Sequence, residues 1–250
     1  MRLLKKLPHL LILALLPGLY GCDAPYEKKD GAWHYDGHRI QVTQTNAFKP
    51  LKGPFAKSPE GGYYRGKLIE ESDGASFEAL DEHYARDKVR VFHCDTYRKG
   101  QEYYSVKYNR VDVLKAADAA SFRIIKDGYA RDAGHLYYIG TRVAVRDLES
   151  FVVLEHDYAK DRLIGYYQRA PVLGSDGASF TVLNSSYAKD KSFVYYSFIE
   201  RGDPNAPAVP RSVRVDGANA ATFEVVPAAD GDAEAKDAQW RFKQGKRLAP

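Results

Sequence analysis

Asp176-Gly-Ala-Ser-Phe180-Thr-Val-Leu183, three residues, then Tyr187-Ala-Lys-Asp190-Lys191 and Tyr195-Tyr196 is the stretch that decides the fold, because the chain repeats it. It occurs as Asp73-Gly-Ala-Ser-Phe77 with Tyr84-Ala-Arg-Asp87, and as Asp118-Ala-Ala-Ser-Phe122 with Tyr129-Ala-Arg-Asp132 and Tyr137-Tyr138. Another copy is Asp147-Leu-Glu-Ser-Phe151 with Tyr158-Ala-Lys-Asp161 and Tyr166-Tyr167. Worn copies flank these, one around Phe48, Phe55-Ala-Lys-Ser58 and Tyr63-Tyr64, the other around Phe223 and Ala235-Lys-Asp237. The two ends echo each other, Trp33-His-Tyr35 with Gly37-His-Arg-Ile40 matching Trp240-Arg-Phe242 with Gly245-Lys-Arg-Leu248. The phenylalanines at 48, 77, 122, 151, 180 and 223 are spaced by 29, 45, 29, 29 and 43 residues, a period of 29 with two insertions. Internal self-similarity at a fixed period is the mark of a repeat architecture.

Within one unit, Asp-x-x-Ser is a turn signal, Phe-x-Val-Leu reads as a short strand, and Tyr-Ala-Lys/Arg-Asp begins a second. Asp then heads a tight loop into a Tyr-Tyr strand, with one ring expected inward and the other outward. Three short strands cannot bury an apolar face alone, so units must stack on their neighbours. The expected fold is all-β: tandem repeats of about 29 residues, stacked as an extended array, with a closed propeller-like ring as the alternative. The insertions fall at His93–Gln101 and Arg201–Arg211 and read as surface loops; Pro204, Pro207 and Pro210 exclude a central strand from the second.

Tyr187-Ala-Lys-Asp-Lys191 with Tyr195-Tyr196, preceded by Asp-x-x-Ser-Phe, resembles the bacterial DKNYY family from about Asp30 to Leu248. No copy has Asn after Asp-Lys, and Asp87-Lys88 leads to Val91-Phe92 in place of the tyrosine pair. The resemblance implies a secreted or lipid-anchored repeat protein, and it implies no particular chemistry.

The first residues fix the expected compartment. Arg2, Lys5 and Lys6 precede the apolar run from Leu10 to Leu16, which is too short to span a bilayer, and Leu19-Tyr20-Gly21-Cys22 follows. This resembles a lipobox. It predicts a lipoprotein signal peptide over 1–21, a lipid-anchored tether over 22–29 with Cys22 as the lipidated residue, and a DKNYY-like repeat domain over 30–250. Asp23 resembles an inner-membrane sorting residue, placing the protein in the bacterial envelope, facing the periplasm, with the outer membrane as the alternative. Without the leader, 34 basic residues face 33 acidic ones, so no net charge draws the chain to nucleic acid. With Cys22 lipidated, Cys94 has no disulfide partner and reads as a small buried side chain.

The recurring Asp87, Asp132, Asp161 and Asp190 raise the idea of calcium, but each unit supplies one aspartate and no Asp-x-Asp-x-Asp cluster, so they read as turn-formers. The Lys or Arg before each reads as a solvated residue or a partner for an Asp of the next unit. Outward tyrosines would form an aromatic ladder. His34 and His38 straddle a hairpin turn, while His83, His93, His135 and His156 occupy different repeat positions, and no nucleophile elbow or phosphate-binding glycine loop occurs. Arg201-Gly202-Asp203 matches an adhesion tripeptide of the kind that arises by chance. No catalytic residue, metal site or cofactor is expected. The expected function is that of a non-catalytic envelope lipoprotein binding an envelope or foreign protein, in a narrower form an inner-membrane-anchored protector that captures a toxin in the periplasm. The alternatives are glycan or peptidoglycan binding and, behind it, an envelope enzyme. The lipobox reading has a direct test: Cys22→Ser moves the protein from the detergent phase to the aqueous phase on detergent partition, and unchanged partition refutes it.

Overall fold

The computed structural model describes residues 25–202, 207–227 and 233–249; Cys22 and Asp23 lie outside them. A three-stranded sheet at 26–39 is followed by six four-stranded sheets at 49–68, 78–113, 123–143, 152–171, 181–214 and 224–247. Each is an antiparallel meander in which consecutive strands pair, as Thr181↔Lys189, Ala188↔Tyr195 and Tyr195↔Arg214 illustrate in the sixth. The all-β repeat expected from the sequence is therefore the fold.

The repeat has one strand more than the sequence discloses. After the tyrosine pair the chain turns on two residues with positive φ, such as Ile139-Gly140 (46° and 70°) or Gln168-Arg169 (45° and 72°). A two-residue hairpin of that hand matches the natural twist of the strands it joins. The return strand is short, two residues in Ala170–Pro171, where Pro171 sits on the sheet edge and opposes Tyr166.

The sheets stack face on face. Alternation along each strand sends successive side chains to opposite faces, so every inner sheet contributes to two cores. In the fourth sheet, Ala130 and Tyr137 meet Tyr84, Val91, Ala119 and Phe122 on the side of the third. Tyr129 and Leu136 meet Phe151, Ala159, Ile164 and Tyr166 on the side of the fifth. Among the described residues six such cores join the seven sheets in order, and none of them joins the seventh to the first. The succession is open, which replaces the closed-ring alternative.

Two sequence boundaries shift. Tyr26–Lys29 pairs with Ala32–Tyr35, and the Tyr26 ring is buried against Phe48, so the repeat domain takes in residues assigned to the tether. The two insertions are ribbons, not simple loops: Val91–Tyr97 pairs with Tyr108–Val113, and Val194–Glu200 with Val209–Arg214. Polar composition hid them because a two-stranded ribbon reaching past its sheet is wet on much of its surface.

The phenylalanine at the head of each unit packs between aromatic rings of its own sheet and the one before, tyrosines in most units and Phe55 and Phe92 around Phe77. Phe151 sits 5.5 Å from the Tyr129 ring and 6.1 Å from that of Tyr166. Phe180 lies so close over Gly165 that a Cβ there would be 2.6 Å from its ring. Where Leu136 stands at the matching position of the fourth sheet, the facing Phe151 is less deeply buried, at 8% exposure against 1% for Phe180. Phe151→Ala is expected to cost about 3–5 kcal/mol in chemical denaturation, and a loss under about 1 kcal/mol would mean that the ring carries no core. Gly165→Ala is expected to destabilise by about 1–3 kcal/mol, since a rigid ring and not a flexible chain end must move.

Candidate functional site

The recurring aspartate organises its own unit. Asp161 accepts the N–H groups of Leu163 (2.8 Å) and Ile164 (2.9 Å) on Oδ1. On Oδ2 it accepts those of Arg146 (3.2 Å) and Asp147 (3.0 Å) and the Tyr166 hydroxyl (2.6 Å). Asp132 and Asp190 repeat the arrangement with Tyr137 and Tyr195. Asp118 and Asp147 in turn accept the hydroxyls of Ser121 and Ser150, and those hydroxyls accept N–H groups from the residues after Asp132 and Asp161. The turn-former reading is what the geometry contains. Among the described residues no group of three or more His, Cys, Asp or Glu is disposed to hold a metal ion.

Burial alone would raise the carboxyl pKa values of Asp132, Asp161 and Asp190, but the converging N–H and O–H donors outweigh it and hold all three below the ordinary range. The same contacts push the Tyr137 hydroxyl up to about 12, through burial and the adjacent Asp132 charge. Carboxylates with lowered folded values contribute stability that is present above about pH 4 and lost as pH falls through the ordinary value towards the folded one. Asp161→Asn is therefore expected to cost about 1–3 kcal/mol at pH 7, with the gap to the parent narrowing below about pH 4. A gap that stays constant down to pH 3 would show that the charge plays no part.

The basic residue before each aspartate crosses to the next unit, and its partner there is not an aspartate. Lys160 Nζ donates to the Phe180 carbonyl (2.9 Å), and Lys189 Nζ to those of Ala220 (2.9 Å) and Phe223 (3.1 Å). Arg86 Nη1 reaches the carbonyls of Ala119 (2.7 Å) and Phe122 (3.2 Å), Arg131 Nη1 that of Leu148 (2.8 Å), and Lys57 Nζ that of Phe77 (3.0 Å). The Asp-x-x-Ser aspartates pair within their own units instead, Asp73 with Lys88, Asp147 with Arg162 and Asp176 with Lys191.

Neither ring of the tyrosine pair forms an outward ladder. Tyr166 packs towards the fourth sheet and Tyr167 towards the sixth, and Tyr63 and Tyr64 divide likewise. A third tyrosine locks neighbouring units: the hydroxyls of Tyr26, Tyr84 and Tyr187 accept the N–H groups of Gly66, Gly140 and Gly245 in the turns of the following sheets. Where the following sheet runs on into a ribbon there is no such turn. There Phe55, without a hydroxyl, packs with Cys94, and the buried Tyr158 hydroxyl lies beside Ser197. Cys94 is fully buried, and burial pushes its thiol pKa well up, away from reactivity.

Of the histidines, His34 and His38 flank the Asp36-Gly37 turn as expected, while the ribbon brings His83 and His93 together at 6.3 Å. Their pairing was invisible in the sequence because it depends on the register His93↔Tyr84. Burial lowers the pKa of His93.

The surface with unassigned chemistry is the tip of the first ribbon. Tyr104 is 92% exposed, Tyr103 52% and Tyr97 43%. Tyr97 and Tyr108 stack at 5.5 Å, with Lys99 Nζ 4.6 Å from the Tyr108 ring centre, and Arg98 donates to the Tyr103 carbonyl at 2.8 Å across a 3₁₀ turn at Gly100–Glu102. The Tyr97 and Tyr108 rings are held by these contacts, while Tyr104, among the described residues, touches the Tyr103 ring alone, 5.3 Å away. Sequence reading took His93–Gln101 as a surface loop and left Tyr103, Tyr104 and Tyr108 outside it; four tyrosines within the twelve residues from Tyr97 to Tyr108 were the signal that the segment is more than a loop. Lys107 and Asn109 near its base join Tyr35, Arg39 and Arg65 around an open groove over the first two sheets.

Comparison with curated proteins and with solved structures finds no match. The DKNYY family description matches the chain twice, over residues 19–96 and 94–170, which is more than half of its length. Those two matches reach to the last strand of the fifth sheet, and the same strand order and aspartate turn continue through the sixth and seventh. The sequence signature, the family match and the repeated geometry agree, and the chain belongs to the DKNYY family.

Proposed function

We propose that this protein is a non-catalytic, lipid-anchored component of the bacterial envelope that uses its stack of sheets to hold out an aromatic ribbon for a protein partner. The observation that carries the reading is the exposure of Tyr97, Tyr103 and Tyr104 at one tip, when the tyrosine pairs of the repeat are packed between sheets. Tyrosines supply large contact area at small entropic cost and are enriched where proteins bind. The aspartates, lysines and tyrosines of the repeat are committed to hydrogen bonds within and between units, which favours a scaffold over a reaction centre.

The leader and Cys22 support anchoring, and Asp23 supports the inner membrane, facing the periplasm. In that setting a toxin entering the periplasm is the narrower partner reading. The stacked Tyr97 and Tyr108 favour glycan binding as a second reading, because sugar rings pack on aromatic faces.

Both readings meet in one experiment. The protein and its Tyr103→Ser/Tyr104→Ser variant are used to capture partners from envelope extracts, and soluble peptidoglycan fragments are tested for protection of the tip tyrosines against nitration. A discrete protein captured by the parent and reduced at least about tenfold in the variant is the expected result. Protection by glycan without protein capture moves the assignment to the second reading. Neither effect, or capture indifferent to both substitutions, refutes a role for the tip.

A further inference from the structure

The first ribbon has a second open feature, its outer edge. The closing strands of the compact sheets run to two or three residues, whereas Tyr108–Val113 has six. A long edge strand is a template for another strand unless something blocks it.

The backbone shows which residues are free to pair. Cys94 N–H donates to the His83 carbonyl at 2.7 Å, so Cys94 turns its backbone groups away from the ribbon partner, while His93 and Asp95 turn theirs towards it. Since His93 opposes Asp112 and Asp95 opposes Arg110, those partners also point inward. Asn109, Val111 and Val113 therefore aim their N–H and C=O groups outward from the sheet. The side chains of Val111 and Val113 are 38% and 41% exposed.

The second ribbon makes the contrast. Ser197 N–H donates to Ser186, so Tyr196 and Phe198 face the outer strand and their partners Val213 and Arg211 point inward. The outward positions there are Pro210, Ser212 and Arg214, and Pro210 has no N–H to offer. One edge is blocked at an outward position and the other is open.

We propose that the open edge pairs antiparallel with the same edge of a second copy of this chain, about a two-fold axis through Val111. Val111 then faces Val111 of the other copy, Asn109 faces Val113, and Arg110 faces Asp112 on both sides of the axis. Arg110 and Asp112 already lie side by side on one face at 2.6 Å, so the pairing makes a four-charge cluster of alternating sign. Moving the axis by one residue sets Arg110 against Arg110 or Asp112 against Asp112, and it also aligns inward-facing backbone groups. The strand is complementary to itself in this register. An interface of this kind is isologous and joins two four-stranded sheets into one of eight. It stands apart from the tyrosine tip and does not depend on the reading given to that tip.

The test uses the full chain in detergent, in a Cys22→Ser background so that Cys94, which is buried, is the one native thiol left. Sedimentation is expected to show a dimer. Val111→Pro is expected to dissociate it, because the proline removes an outward N–H and spares the bonds to Val91–Tyr97. Arg110→Asp is expected to weaken it roughly tenfold, and adding Asp112→Arg to restore it, which separates a charge effect from misfolding. Under mild oxidation Val111→Cys is expected to cross-link to itself and Val113→Cys, four strand positions from its own copy, is not. A monomer throughout, a dimer indifferent to Val111→Pro, or equal cross-linking at both positions would overturn the proposal.

Discussion

A sheet of two- and three-residue strands has no inside of its own, and this constraint shapes the chain. With so few ladder hydrogen bonds per strand pair, such a sheet persists when both its faces are covered. The repeat meets this by assigning each side chain to a neighbour: Ala130 and Tyr137 to the sheet before, Tyr129 and Leu136 to the sheet after. Composition follows from geometry. The strands need rings that are broad, flat and able to end in a hydrogen bond at the rim, and tyrosine meets all three needs where phenylalanine meets two.

Polar residues at the rim complete the stacking. The lysine or arginine that reaches from one unit to the turn carbonyls of the next is a charge-assisted donor placed where those carbonyls would lack partners. The aspartate does the converse for the N–H groups of its own turn. A unit thus presents bound carbonyls to the previous unit and a donor to the next, which gives the array a direction and lets it extend by copying. The worn copies lie towards the ends of the array. Ser58 replaces the turn aspartate in the second sheet, and its tyrosine, Tyr63, turns to Glu60 at 2.9 Å.

The period, the core phenylalanines and the turn aspartates were legible because each depends on residues close together in the chain. What was not legible depends on neighbours. A two-residue strand such as Ala170–Pro171 has no periodicity to read and exists through its register with Tyr166. Lys160 looks solvated until the next unit supplies the Phe180 carbonyl. An inward and an outward tyrosine cannot be told apart from two sheet faces that are both buried. The ribbons were missed for the opposite reason, since strands that leave the stack lose the apolar alternation that would announce them. Their tyrosines were visible in the sequence but not separable from those of the repeat.

The same contrast locates function in the fold. The inner faces of the repeat are answered by neighbouring units, so the tyrosines free to meet something else stand where the chain leaves the stack, on the first insertion. Each insertion departs after the tyrosine-pair position, where a compact unit would make its two-residue turn and accept a lock from the previous unit. The preceding units lack that lock: Phe55 has no hydroxyl to satisfy, and the buried Tyr158 hydroxyl has no hydrogen-bond partner among the described residues. Extending a turn into a ribbon therefore dispenses with the glycine N–H that Tyr84 and Tyr187 bind, while a buried core still joins the ribbon-bearing sheet to the one before. A repeat built this way can gain a binding surface at one turn without giving up the packing of either neighbour.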